Sequence, residues 1–264
     1  MNGIIIGKYV PGDSFIHRLD PRSKLLLVFL FVFIVFLANN TAAYALLGLF
    51  TIAVTALTKL PPRFIAAGLK PILWIILFTF LLHILVTKEG PVLFQFSFIS
   101  VHEEGLRQGI YISLRFLYLI IMTTLLTLTT TPIEVTDGME NLLHPFKKIG
   151  LPVHELALMM SIALRFIPTL TDETDKIMKA QMARGTDFSS GPLTKRVQAI
   201  VPLLVPLFIS AFKRAEELAT AMEARGYQGG EGRTKYRQLK WDRQDSLIMV
   251  LLLILTAGLL LLRS

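Results

Sequence analysis

The sequence contains no cysteine, which excludes a disulfide framework, a thiolate metal site and a cysteine nucleophile. It is also poor in charge: 17% of its 264 residues are charged, whereas 53% are hydrophobic. A soluble domain of this length could fill its core with fewer apolar residues. The surplus of apolar side chains therefore predicts an integral membrane protein, with lipid as its second solvent.

Other absences narrow the function. No Gly-x-x-x-x-Gly-Lys-[Ser/Thr] loop occurs, so we do not expect the chain itself to bind ATP in the P-loop manner. The five histidines show no i, i+4 pairing, and we predict no metal site. We assign the formal net charge of +8 to basic cytoplasmic loops and lipid contact, not to nucleic acid. We also expect no removable signal peptide in residues 1–11.

Apolar runs long enough to approach a bilayer crossing predict an all-α fold with about five transmembrane helices. These runs are 25–38, 42–57, 72–86, 110–128 and 247–262. The first two predict a tight hairpin with Asn39 and Asn40 at its tip. Lysine and arginine are concentrated before the first run, between the second and third, and between the fourth and fifth. The positive-inside rule then predicts a cytoplasmic N-terminus and an extracellular C-terminus.

The segment 131–244 differs from the rest, because it carries most of the charge in an amphipathic helical pattern. Thr131 followed by Pro132 predicts the start of a short helix. Two long helices follow, ending near Gly185 and Gly226, each with an apolar first half and a charged second half. We therefore divide the chain into 1–130, an N-terminal arm with four spans; 131–244, a cytoplasmic helical segment; and 245–264, the last span.

Both long helices end in the same tripeptide, Ala183-Arg184-Gly185 and Ala224-Arg225-Gly226. The simplest explanation is helix capping, since glycine after a helix and arginine in its last turn satisfy carbonyls and complement the helix dipole. One copy would carry no information about function. Two copies that close helices of the same two-part design favour a pair of binding tips.

These endings, the opening stretch 15–25 (Phe-Ile-His-Arg-Leu-Asp-Pro-Arg-Ser-Lys-Leu) and 163–168 (Ala-Leu-Arg-Phe-Ile-Pro) carry a family resemblance. Over essentially its whole length the chain resembles the transmembrane T component of energy-coupling factor (ECF) transporters. The resemblance implies a non-enzymatic subunit of a prokaryotic plasma-membrane importer of vitamins or metals. Such a subunit couples two ABC-type ATPases, which bind the ATP, to a substrate-binding membrane protein, the S component.

The resemblance also implies that Arg184 and Arg225 contact acidic groups in grooves of the two ATPases. A planar, permanently charged guanidinium suits a carboxylate partner. In the same account, Ala183, Gly185, Ala224 and Gly226 provide the close-packing context.

The resemblance further implies that apolar faces of the long helices contact the S component, where methionines would supply adaptable packing. The residues are Met159, Met160, Phe166, Leu203, Leu207 and Phe208. Packing on the chain's own spans is the alternative explanation for them, and it stays open. Two ionisable residues in or near spans, His83 and Arg115, are further candidates without an assigned role.

Two other function classes remain as alternatives. A membrane-embedded enzyme such as a lipid transferase would need clustered acidic residues or a base–nucleophile pair at a span end. A secondary transporter would be expected to show repeats and broken helices at the membrane midplane. We find neither pattern in the sequence.

Overall fold

The computed structural model describes residues 9–96, 99–188, 192–229 and 238–263. The chain divides into two compact units. The first comprises Met1–Leu142 together with Gln238–Ser264, and the second is Leu143–Arg237.

The first unit contains the helices that were predicted as membrane spans, and it adds a small β-hairpin. In chain order its elements are α1 (Phe15–Arg18), α2 (Pro21–Val35), α3 (Thr41–Thr58), α4 (Pro62–Val86), β1 (Val92–Phe96), β2 (Ile99–His102), α5 (Glu103–Thr129), α6 (Pro132–Leu143) and α9 (Arg243–Leu262). The two strands are antiparallel, with Phe96 opposite Ile99. The second unit contains a 3₁₀ helix (His144–Ile149), α7 (Val153–Ala183) and α8 (Leu193–Ala224).

Six helices in the described residues are long and apolar enough to cross a membrane: α3, α4, α5, α7, α8 and α9. The predicted all-α integral membrane fold is confirmed. The first predicted span, α2, has only 15 residues, which is about 22 Å of helix against about 30 Å of hydrocarbon. Helices α7 and α8 meet the same criterion through their apolar first halves, although we predicted them to be cytoplasmic.

Helix α5 is central to the first unit, since it packs against α2, α3 and α4. Helix α9 packs against α2 and α3. The side chains that are buried almost completely come from these helices: Phe31, Leu47, Met122, Leu252 and Leu259. Helix α4 has no buried residue, and Trp74 is 75% exposed. An apolar helix exposed in this way must have lipid or another protein as its solvent.

Glycine allows α5 to approach α4 closely. Gly105 and Gly109 are four residues apart on one face of α5, as in small-residue packing motifs of membrane helices. A Cβ atom on Gly105 would lie 2.9 Å from the carbonyl oxygen of Thr87, and one on Gly109 would lie 3.1 Å from the Phe80 ring. Larger residues at these two positions would force the helices apart.

A buried carboxylate joins the two ends of the chain within the first unit. Asp245, at the start of α9, is 1% exposed. Its Oδ1 accepts hydrogen bonds from the backbone N–H of Asp20 at 2.8 Å and from the hydroxyl of Ser23 at 2.6 Å. Its Oδ2 accepts from the backbone N–H of Asp242 at 2.8 Å. The charge is thus stabilised by three donors, and the last span is fixed to the first.

Local signals in the sequence predicted several helix boundaries. Thr131 accepts a hydrogen bond from the N–H of Glu134, whose carboxylate accepts from the N–H of Thr131 in return, which is a capping box. Asn40 caps α3 by accepting from the N–H of Ala43 at 2.8 Å. The helix start predicted at Thr131 is confirmed, and Asn40 lies in the connection between α2 and α3, where we predicted the tip of a hairpin.

Candidate functional site

The C-terminus of α7 has a Schellman motif. The N–H of Thr186 donates to the carbonyl of Gln181 at 3.0 Å, and the N–H of Gly185 donates to the carbonyl of Met182 at 3.0 Å. This pattern requires a left-handed residue just after the cap, and Gly185 has φ +88°. The helix therefore ends with Ala183 as its last helical residue and Arg184 as its cap.

The C-terminus of α8 repeats this structure at the same offsets. The N–H of Tyr227 donates to the carbonyl of Met222 at 3.0 Å, and that of Gly226 donates to Glu223 at 2.9 Å. Gly226 has φ +73°, and Arg225 occupies the cap position. The two Ala-Arg-Gly sequences are thus two copies of one backbone conformation, as their shared capping chemistry predicted.

Both tips are exposed along all three residues. Among the described residues, nothing lies within 4 Å of a Cβ atom built on Gly185 or Gly226, so the contacts described there give these glycines a role in backbone conformation and none in close packing. Neither Arg184 nor Arg225 has a side-chain hydrogen bond or ion pair with another residue in the described part of the chain. Each tip therefore presents a charged guanidinium at a fixed helix end.

A polar contact joins α7 to α8. Glu173 Oε1 accepts a hydrogen bond from the hydroxyl of Ser210 at 2.6 Å, and Oε2 accepts from Arg214 Nη2 at 2.8 Å. Further along, the amide of Gln181 is 3.5 Å from the carbonyl oxygen of Pro202. That carbonyl lacks its usual helical donor because residue 206 is also proline. Helix α8 nevertheless continues through both prolines.

These contacts establish that the helices are antiparallel where they touch. Residue numbers rise along α7 from Glu173 to Gln181 while their partners on α8 fall from Ser210 to Pro202. The two C-terminal tips therefore point in opposite directions. At 1.5 Å per residue, α7 extends about 15 Å from Glu173 to its tip, and α8 extends about 21 Å from Ser210. The tips are consequently separated by roughly 35 Å.

The predicted S-component contact residues differ in exposure. Met159, Met160 and Phe208 are 56%, 41% and 64% exposed. Phe166, Leu203 and Leu207 are only partly exposed. No observation tests their contact with another protein, so this assignment stays a prediction.

The exposed apolar face of α8 is wider than the contact surface predicted from the sequence. Its exposed members repeat at three- and four-residue spacing, which is one helix face: Val197, Val201, Leu204, Val205, Phe208 and Phe212. Each is more than half exposed, beyond what scattered surface residues explain. The spacing was visible in the sequence, but only the structure shows which face is left uncovered.

Comparison with known proteins identifies the class. Residues 12–236 match the model of the family described as CbiQ, cobalt transport protein. This match covers well over half of the chain, and the chain belongs to this family of transporter membrane components.

Relatives across the full length share one name, energy-coupling factor transporter transmembrane protein EcfT. The protein of Bacillus subtilis (strain 168) is 72% identical over 264 residues, covering 100% of both chains. That of Exiguobacterium sibiricum is 57% identical over 258 residues, covering 98% of this chain and 97% of its own. That of Brevibacillus brevis is 56% identical over 255 residues, covering 97% and 96%. The predicted resemblance to the ECF T component is confirmed.

Proposed function

We propose that this chain couples two ABC-type ATPase subunits to a substrate-binding S component in an importer of a vitamin or metal. ATP is bound and hydrolysed by the ATPases, and the chain itself needs no cofactor. Closure of the ATPases moves α7 and α8, and their motion rocks the membrane-embedded partner. The observation that carries the proposal is the pair of identical, exposed helix tips.

The tips suit two separate protein partners. The hydrogen bonds of a Schellman motif fix the conformation of the helix end. A subunit docked there would therefore transmit its motion directly to the helix. Each arginine offers five N–H donors in a planar fork. Because neither is used within the described chain, acidic grooves on the two ATPases are their proposed partners. A separation of roughly 35 Å between the tips favours one ATPase at each tip.

The S component is proposed to contact the apolar first halves of α7 and α8. The exposed residues Met159, Met160 and Phe208 belong to this surface. An apolar surface of this extent is costly to leave in water, and methionine packs against partners of different shape.

The proposed membrane orientation has the N-terminus in the cytoplasm and the C-terminus outside. The basic segments of the chain support it through the positive-inside rule. In this orientation the charged halves of α7 and α8 face the compartment that contains ATP.

Co-purification tests the function directly. The tagged full chain is expressed in Bacillus subtilis, extracted in mild detergent and compared with Arg184→Glu and Arg225→Glu. Mass spectrometry scores co-purified proteins that carry the Gly-x-x-x-x-Gly-Lys-[Ser/Thr] loop. Each charge reversal would remove a charge-assisted pair and introduce repulsion. The amount of co-purified ATPase should therefore fall about tenfold or more.

Lys179→Glu and Lys213→Glu are matched controls, since they make the same charge change on exposed positions of the same helices. They should leave ATPase recovery close to that of the wild type. If the arginine reversals and these controls behave alike, the tips are only helix caps and the proposed coupling function fails.

A further inference from the structure

One arginine in the first unit has no negatively charged partner among the described residues. Arg115 Nη2 donates to the phenol oxygen of Tyr44 at 2.9 Å, and its Cζ lies 4.9 Å from the centroid of the Phe36 ring. Its Nε–H is buried and has no acceptor in the described part of the chain. Because a guanidinium carries five N–H donors, most of its hydrogen-bonding capacity is unused.

Arg115 lies near one end of the helix bundle. The hydroxyl groups of Thr41 and Tyr111 are 2.7 Å apart, and Asn40 Nδ2 donates to the carbonyl of Leu262. Tyr111 therefore lies at the same height along the bundle axis as the start of α3 and the end of α9. Arg115 is one turn further along α5, or about 6 Å deeper. An arginine side chain can extend over that distance to the headgroup region.

The surroundings of Arg115 are those of a membrane interface. The rings of Tyr44 and Tyr111 stack with centroids 4.6 Å apart, and tyrosines are typical of this depth. Arg107 lies 5.9 Å from the Tyr111 ring centroid and pairs with Glu104 at 3.6 Å. Since this second arginine has a counter-charge, the cluster keeps a net positive charge at Arg115.

An exposed aromatic lane leads away from this charge along α2. It consists of Phe29, Phe33 and Phe36, which are 61%, 59% and 59% exposed. Their spacing of four and three residues puts them on one helix face, and the rings of Phe29 and Phe33 are 5.1 Å apart. Phe36 belongs both to the lane and to the surroundings of the guanidinium. The lane therefore begins at Arg115 and runs toward the bilayer interior.

We propose that Arg115 binds the phosphate of an anionic phospholipid whose acyl chain lies along the aromatic lane. The phosphate oxygens would accept hydrogen bonds from N–H groups of Arg115 that do not donate to Tyr44. The planar guanidinium is well suited to phosphate. A free phosphate ion has the same headgroup chemistry but makes no use of the lane. The continuity of charge and lane is why a lipid is the proposed source.

The test uses the full chain in detergent, with thermal unfolding followed during titration with phosphatidylglycerol. The wild type should show a saturable rise in its unfolding midpoint. Arg115→Gln should bind about tenfold more weakly, because it loses a charge-assisted contact. Arg115→Lys should keep most of the affinity, and Arg63→Gln, an exposed arginine at the opposite end of the bundle, should keep all of it. Phe33→Ala should weaken binding about threefold through lost acyl-chain contact.

Separate titrations with phosphatidylcholine and with inorganic phosphate distinguish the possible ligands. Equal stabilisation by phosphatidylcholine, or unchanged phosphatidylglycerol affinity in Arg115→Gln, overturns the proposed site. If inorganic phosphate binds as tightly as the lipid and Phe33→Ala has no effect, a free anion is the ligand and the lipid is excluded. If Arg115→Gln does not fold, Phe33→Ala provides the test, because Phe33 is exposed and its removal should not prevent folding. Full phosphatidylglycerol affinity in Phe33→Ala would refute the proposed acyl-chain contact with the lane.

Discussion

Removing the Asp245 carboxylate should destabilise the first unit strongly. The size of the effect should depend on how many of its three accepted hydrogen bonds the substitution removes. In Asp245→Ala, three donors lose their acceptor: the N–H groups of Asp20 and Asp242 and the hydroxyl of Ser23. Leaving a buried donor unsatisfied, as at Asp20 and Ser23, costs about 1–3 kcal/mol, and the partly buried N–H of Asp242 adds a smaller cost. Since local relaxation recovers part of this, the expected loss in unfolding free energy is about 3–6 kcal/mol.

Asp245→Asn should cost less, and the reason is geometric. Its amide oxygen can replace Oδ1 and keep the bonds to Asp20 and Ser23, while its NH₂ group would then face the N–H of Asp242. One accepted bond is lost, together with the charge, so the expected cost is about 1–2 kcal/mol. The predicted order of stability is therefore wild type, then Asp245→Asn, then Asp245→Ala.

Intrinsic fluorescence during thermal unfolding in detergent measures this order. The chain has two tryptophans, and the indole of Trp241 donates to the hydroxyl of Ser246 at 3.0 Å, next to Asp245. At roughly 2–4 °C per kcal/mol, Asp245→Ala should lower the midpoint by at least about 6 °C. Asp242→Asn is the matched control, since Asp242 is exposed and asparagine is an equivalent helix cap. If Asp245→Ala unfolds together with this control, the buried carboxylate does not fix the last span to the first.

Three further predictions address the second unit and the membrane orientation. Gly185→Ala forces a left-handed conformation on alanine at a cost of about 1–2 kcal/mol, so hydrogen exchange over 181–186 should accelerate and ATPase recovery should fall; unchanged exchange would contradict the assigned cap. Glu173→Gln and Arg214→Gln should show a coupling free energy of about 0.5–1.5 kcal/mol in a double-mutant cycle, reduced by salt because the pair is partly exposed, whereas strict additivity would mean that the contact does not join the helices. Because no native cysteine is present, Glu89→Cys should react with an impermeant maleimide in intact cells and Lys179→Cys only after permeabilisation; the reverse pattern would refute the proposed orientation.

Structure that depends on near neighbours was predictable from the sequence. The short helix was predicted to start after Thr131, and α6 begins at Pro132, because the cap and the proline act within one turn. The ends of α7 and α8 were predictable from Gly185 and Gly226. Glycine adopts a positive φ without steric cost, so this conformation needs no tertiary contact to enforce it. Such signals need no knowledge of tertiary packing.

Contacts between distant residues were not predictable in this way. Asp245 and its partner Asp20 are 225 positions apart, and nothing in either segment indicates the other. Among the charged residues on the second half of α7, Glu173 has no local feature that marks it as the partner of Ser210 and Arg214. The first span was predicted to begin at residue 25, but α2 begins at Pro21. The start of α2 includes the buried polar residues Ser23 and Lys24, which lie outside the apolar run that predicted the span.

The two tips lie at different distances from the polar contact that joins α7 to α8. The contact through Glu173 lies ten residues before Ala183 on α7, whereas Ser210 lies fourteen residues before Ala224 on α8. A rotation about that contact would move the α8 tip about 1.4 times as far as the α7 tip. Under the proposed function, ATPases that close symmetrically would displace the two helices by different amounts. Unequal displacement of the two antiparallel helices would tilt their apolar halves, and a tilt is the motion that the proposed rocking of a membrane partner requires.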